Sequence, residues 1–66
     1  MPQDYEKAVY WYKKAAAQDF CVAQYKLGLC YKDGTGTKQD YAKAEHWLKK
    51  AAEQGYDPAK KALKKL

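Results

Sequence analysis

The chain has 66 residues, 47% of them hydrophobic, and a formal charge of +5 from 13 lysines against 8 acids, with no arginine. That length allows one domain at most, with a thin core. It holds no run near the ~20 apolar residues of a membrane helix, nor a basic-then-apolar leader.

Strand formers are scarce: valine occurs only at Val9 and Val22, and isoleucine is absent, so helix is favoured over sheet. The first helix is predicted behind Asp4, an N-cap able to accept from the free amides of the first turn. Tyr5, Ala8, Tyr12, Ala15 and Ala16 recur there at three- and four-residue steps, with Trp11 at the flank. A second helix is predicted from Val22 to Lys32, with Ala23, Leu27 and Tyr31 in register. Gly28 lies inside it and costs about 1 kcal/mol relative to alanine. Close approach of a partner helix would explain a residue without a side chain.

Asp33–Gly34–Thr35–Gly36 then breaks the chain. A third helix follows Asp40, again an N-cap, with Tyr41, Ala44, Leu48, Ala51 and Ala52 in register and Trp47 at the flank. Gly55 suits the left-handed residue behind that helix, whereas Asp19, at the matching place behind the first, suits it less well. Asp57 is read as the N-cap of a fourth helix, with Pro58 at its first position and Ala59, Ala62, Leu63 and Leu66 on one side.

A shift of 36 residues lays Gln3–Asp4–Tyr5 on Gln39–Asp40–Tyr41, Lys7–Ala8 on Lys43–Ala44, Trp11 on Trp47 and Lys13–Lys14–Ala15–Ala16 on Lys49–Lys50–Ala51–Ala52. Over positions 3–27 there are 13 identities, 11 of them in the first 16 positions. The predicted fold is therefore all-α: antiparallel helical hairpins, a solenoid fragment of about four helices, whose faces are normally completed by neighbours.

These residues resemble a known family. Ala23–Gln24–Tyr25–Lys26–Leu27–Gly28–Leu29–Cys30–Tyr31, then Asp33–Gly34–Thr35–Gly36, then the Gln39-to-Gly55 segment are similar to the Sel-one-like repeat, a relative of the tetratricopeptide repeat. The resemblance divides the single domain, residues 1–66, into the second helix of a partial repeat (3–20), a full repeat (21–56) and a C-terminal capping helix (57–66). Lys60, Lys61, Lys64 and Lys65 suit a cap, because arrays end in a polar face, with contact to an acidic partner or a membrane surface as the lesser alternative. The resemblance implies an α-α superhelix and a protein-binding adaptor or scaffold, bacterial by the family's usual setting, with no enzyme activity and no cofactor. It also implies that the first helix of each pair lines a concave face. That places the candidate binding residues at Gln24, Tyr25, Leu29 and Lys32, with Tyr56 nearby. Cysteine-rich relatives carry a disulfide staple at the position of Ala16 or Ala52, and it is missing here. With no leader, this favours a cytoplasmic setting.

Sharper chemistry finds little support. Cys21 and Cys30, nine residues apart on one helix, point to opposite sides and should not pair; Cys30 reads as a small buried hydrophobe. His46 is the only histidine and has no converging ligands, so it reads as a surface residue. Gly34–Thr35–Gly36–Thr37–Lys38 lacks the spacing and preceding strand of a phosphate loop. Tyr5, Trp11, Tyr41 and Trp47, at the repeat period beside the alanine stripe, are read as core rather than as stacking platforms for single strands. The expected partner is a protein or peptide. Self-association through exposed repeat faces is the alternative, and nucleic acid is disfavoured because lysine lacks the bidentate fork of arginine.

Overall fold

The computed structural model describes residues 4–66. Gln3, the first residue of the first sequence copy, lies outside the described residues. The chain forms α1 (Tyr5–Ala17), α2 (Cys21–Asp33), α3 (Tyr41–Glu53) and α4 (Asp57–Lys64), and the described residues contain no strand. Each helix packs on the next in chain order, α2 against α3 most extensively.

The two helices that share sequence also share their ends. Asp4 Oδ1 accepts from the Lys7 backbone N–H at 3.1 Å, and Asp40 Oδ1 from Lys43 N–H at 3.1 Å. At the far ends, Asp19 N–H donates to the Ala16 carbonyl at 3.0 Å and Phe20 N–H to Ala15 at 3.3 Å. Gly55 and Tyr56 repeat this bonding to Ala52 and Ala51 at 2.9 and 3.3 Å. Both are Schellman motifs, which satisfy the last carbonyls of a helix through a left-handed residue. Gly55 takes φ 87°, and Asp19, despite its side chain, takes φ 68°; aspartate is among the few residues that visit this region as single residues.

One cap differs from expectation. Asp57 is the first helical residue of α4, Pro58 follows it in the first turn, and Tyr56 is the N-cap. The Tyr56 carbonyl already accepts from Ala59 and Lys60, so the first helical bond forms one residue earlier. Asp57 still lies at the positive end of the helix dipole.

α2 is the centre of the molecule. Its Ala23, Leu27 and Tyr31 are buried in a cluster with Val9, Ala16 and Ala44, and Trp47 packs partly buried against it. Leu48, Ala51 and Ala59 form a second cluster, covered by Cys21, Tyr25, Tyr56 and Leu63 among others. Two of the expectations about the core fail. Val9, absent from the predicted stripe, is buried, whereas its repeat counterpart Glu45 is exposed. Val9 shares its cluster with Leu27 and Tyr31 of α2, whereas Glu45 lies beside neither core cluster. Of the four aromatic residues read as core, only Trp47 is packed; Tyr5, Trp11 and Tyr41 are exposed, Trp11 to 62%. Trp11 instead meets Tyr10 edge-on at 5.6 Å between centroids, with Lys14 Nζ over the rings of both. Leu66, past the end of α4, is also exposed.

The seat of α2 on α3 depends on Gly28. A Cβ there would lie 2.7 Å from Leu48 Cγ and 3.2 Å from the Ala44 carbonyl oxygen. Overpacking of this kind costs about 1–3 kcal/mol, against about 1 kcal/mol recovered from helix propensity. Gly28→Ala is therefore expected to lower stability by about 1 kcal/mol in urea denaturation followed by circular dichroism. In a Leu48→Ala background the same change is expected to be neutral or stabilising; equal destabilisation in both backgrounds would mean that the contact does not limit packing.

Candidate protein-interaction surface

The five residues expected to form the binding face do not all reach a surface. Gln24 is fully buried. Its Nε2 donates to the Ala16 carbonyl at 3.1 Å and to Asp19 Oδ1 at 3.4 Å, while its Oε1 accepts from Gln54 Nε2 at 2.9 Å. Gln24 thus joins the end of α1 to the end of α3 across α2, and it leaves the candidate binding set. A glutamine in a helix with polar neighbours gives no sequence sign of this; only the placement of two helix ends beside it does.

Tyr25, Leu29, Lys32 and Tyr56 are half-buried. The Tyr25 and Tyr56 rings meet edge-on at 5.4 Å between centroids, and both back onto the second core cluster. Tyr25, Leu29 and Lys32 line a groove of about 380 Å³ closed on its other side by Pro58 and Lys61 of α4 and by Lys65 just past its end. Pro58, Lys61 and Lys65 were not among the expected site residues. Their only sequence signal was the three- to four-residue spacing of the α4 lysines. A second groove, of about 430 Å³, shares Lys32 and Lys65 with the first and continues to Tyr41, Glu45 and Leu66.

The two ends of the stack differ. On α3, Ala44, Leu48 and Ala51 are fully buried and Trp47 is half-buried. Their counterparts on α1, Ala8, Tyr12 and Ala15, are only half-buried, and Trp11 is open. Beside these α1 residues lies a groove of about 240 Å³ whose α2 wall includes Lys26, Leu29 and Cys30. At the other end, the 36-residue shift places Lys60 at the position of Gln24 and Lys64 at that of Gly28, and both lysines are exposed. α4 therefore carries long charged side chains where α2 needs a buried amide and bare backbone.

The remaining chemistry is sparse. Cys21 and Cys30 are free and pack beside different core clusters, as their spacing requires. Burial pushes the Cys30 thiol up, with Asp33 adding to the effect and Lys26 opposing it, so it stays neutral at neutral pH. His46 is exposed and lies edge-on to Trp47 at 5.1 Å. Among the described residues no group of His, Cys, Asp and Glu converges to hold a metal, and no helix is long and apolar enough to cross a membrane.

Gln24→Leu is expected to lower stability by about 1 kcal/mol in urea denaturation, because the bonds that tie the Ala16 carbonyl to Gln54 through Gln24 are lost while the Ala16 carbonyl keeps the Asp19 N–H. Gln54→Ala, at an exposed position, should cost about 1 kcal/mol or less. A tolerant Gln24 would show that water replaces these bonds.

Comparison with known proteins bears on this geometry. A family model of the Sel1 repeat matches residues 1–20 and 21–56. An uncharacterised protein of Neisseria meningitidis serogroup B is 48% identical over 65 residues, a match covering 98% of this chain and 14% of that protein. The crystal structure of a Sel1 repeat protein from Oxalobacter formigenes matches with a TM-score of 0.91 at 41% identity, over 96% of this chain and 26% of the other. The chain thus spans about a seventh of the Neisseria protein and about a quarter of the Oxalobacter chain.

Proposed function

The chain belongs to the Sel1 repeat family, and from that premise we propose that it is a binding module, not a catalyst, that holds a protein partner along the groove between α2 and α4. The observation that carries this reading is the groove itself. Tyr25 and Leu29 give it an apolar wall, Tyr25 is held in place by Tyr56, and lysines stand at its rim. A rigid aromatic or aliphatic anchor with a polar rim is the arrangement that concentrates binding energy at protein interfaces. Half-buried aromatic rings also lose little conformational freedom when a partner covers them.

A second reading concerns the α1 end. Ala8, Trp11, Tyr12 and Ala15 form the face whose counterparts on α3, Ala44 and Leu48 above all, pack against Gly28 of the preceding helix, α2. In this reading they stack against a further helical hairpin, supplied by the same polypeptide or by another copy, and residues 57–66 act as the cap. The lysines of α4 support the capping role.

The test of the first reading replaces Leu29 with a photo-crosslinking amino acid, and as the control Lys26, which lines only the α1–α2 groove that Leu29 also borders, in nuclease-treated bacterial lysate. Protein adducts are expected from position 29 and not from position 26. Equal adducts at both would remove the groove from the reading. Tyr25→Ala with Lys32→Ala should weaken capture of the same partner about tenfold or more while leaving helicity intact.

A further inference from the structure

Resting on that reading, we propose that the groove takes an extended, acidic protein segment whose apolar side chains enter the furrow while its carboxylates face Lys32, Lys61 and Lys65.

The shape comes first. The two grooves beside α4 are adjacent, with Lys32 and Lys65 lining both, and side by side they extend from Tyr25 to Tyr41. Each has a volume of the size that holds small ligands, about 300–1,000 Å³. That suits successive side chains of an extended chain and not a whole helix about 10 Å across.

Leu29 supplies the second observation. It is half-buried, yet it belongs to neither core cluster. It lies on the wall of the α2–α4 groove, so its aliphatic surface is free to anchor a partner's apolar residue.

Charge supplies the third. The first groove is lined by Lys32, Lys61 and Lys65 and by no acid; Glu45 appears only in its continuation. Asp33 Oδ1 lies 4.0 Å from Lys32 Nζ, and both side chains reach solvent, so the pair leaves Lys32 able to meet another carboxylate. Lysine on this rim acts as a mobile point charge, a match for scattered carboxylates. A single-stranded nucleic acid would need stacking surfaces as well. The open aromatic pair, Tyr10 and Trp11, lies on α1 and outside this furrow, and Tyr25 is engaged edge-on by Tyr56, which leaves Tyr41 as a single open ring and no run of rings for successive bases.

The experiment uses fluorescence anisotropy with three labelled probes: a twelve-residue peptide of aspartate and glutamate interspersed with leucine and phenylalanine, the same peptide with lysine replacing every acid, and oligothymidylate. The 66-residue chain is compared with a Lys32→Glu, Lys61→Glu, Lys65→Glu variant, a Leu29→Ala variant and a control variant carrying Lys7→Glu, Lys13→Glu and Lys49→Glu, all checked for helicity. The acidic peptide alone should bind. The groove reversal should weaken it about tenfold or more, and the control reversal about threefold or less, as expected for a local ion contact over a shared long-range field. Leu29→Ala should weaken it about fivefold with the salt dependence unchanged. Equal loss in the two charge reversals, or equal binding of acidic and basic peptides, would overturn the proposal. Tighter binding of oligothymidylate would overturn it in favour of nucleic acid. If the acidic peptide fails while position 29 still crosslinks protein, the acidic chemistry is wrong and the binding face stands. If both fail, the functional reading fails with it.

Discussion

The contact on which the rest of the structure depends is the one made by a missing side chain. At Gly28 the backbone of α2 approaches α3 so closely that Leu48 and the Ala44 carbonyl occupy the space a Cβ would need. That approach buries Leu27 and Leu48 fully and leaves α2 between two apolar clusters. Within these 66 residues the core is thin, so closeness of packing supplies what volume does not. Gln24, one turn earlier, serves the same seat with polar chemistry. Its amide adds a donor to the Schellman-capped end of α1 and meets Gln54 just past the end of α3, so the two helix ends that flank α2 are tied to each other through it.

Most of the fold was legible because it is written twice. The 36-residue repeat doubled every helix signal, and the paired aspartates marked both N-termini correctly. What periodicity could not show was which copy has a neighbour. Tyr5, Trp11 and Tyr41 carry the same letters at the same spacing as core-forming positions, yet they are exposed, while Trp47 is packed beside the first cluster. Val9 was hidden for the opposite reason: its counterpart is Glu45, so comparison of the copies argued against a buried residue that α2 nonetheless covers. Repeat alignment reports what two positions share, and burial depends on what stands next to each.

The candidate site was legible in outline on α2 and less so elsewhere. Tyr25, Leu29 and Lys32 do share a groove, but Gln24 points inward, because helical spacing alone cannot distinguish a polar residue facing water from one facing two helix ends. The α4 lysines read first as a solvated face, with an acidic partner as the lesser reading, because spacing alone does not say what stands across from them. Three-dimensional placement adds that Lys61 and Lys65 stand opposite α2.

The exposed lysines at 60 and 64 also constrain symmetry. A solenoid extends when the last helix of one unit offers the next the same seat it received, and Lys64 stands where that seat requires bare backbone. Head-to-tail joining of separate copies through α4 would have to bury two cations without partners, which is strongly unfavourable. Copies meeting through their α1 ends face no such obstacle. Their contact would be isologous and closed, a twofold pair in place of an open fibre. The exposed lysines thus make α4 the poorer seat for a further hairpin, and the α1 end, with Trp11 open and Ala8 and Tyr12 half-covered, the better one.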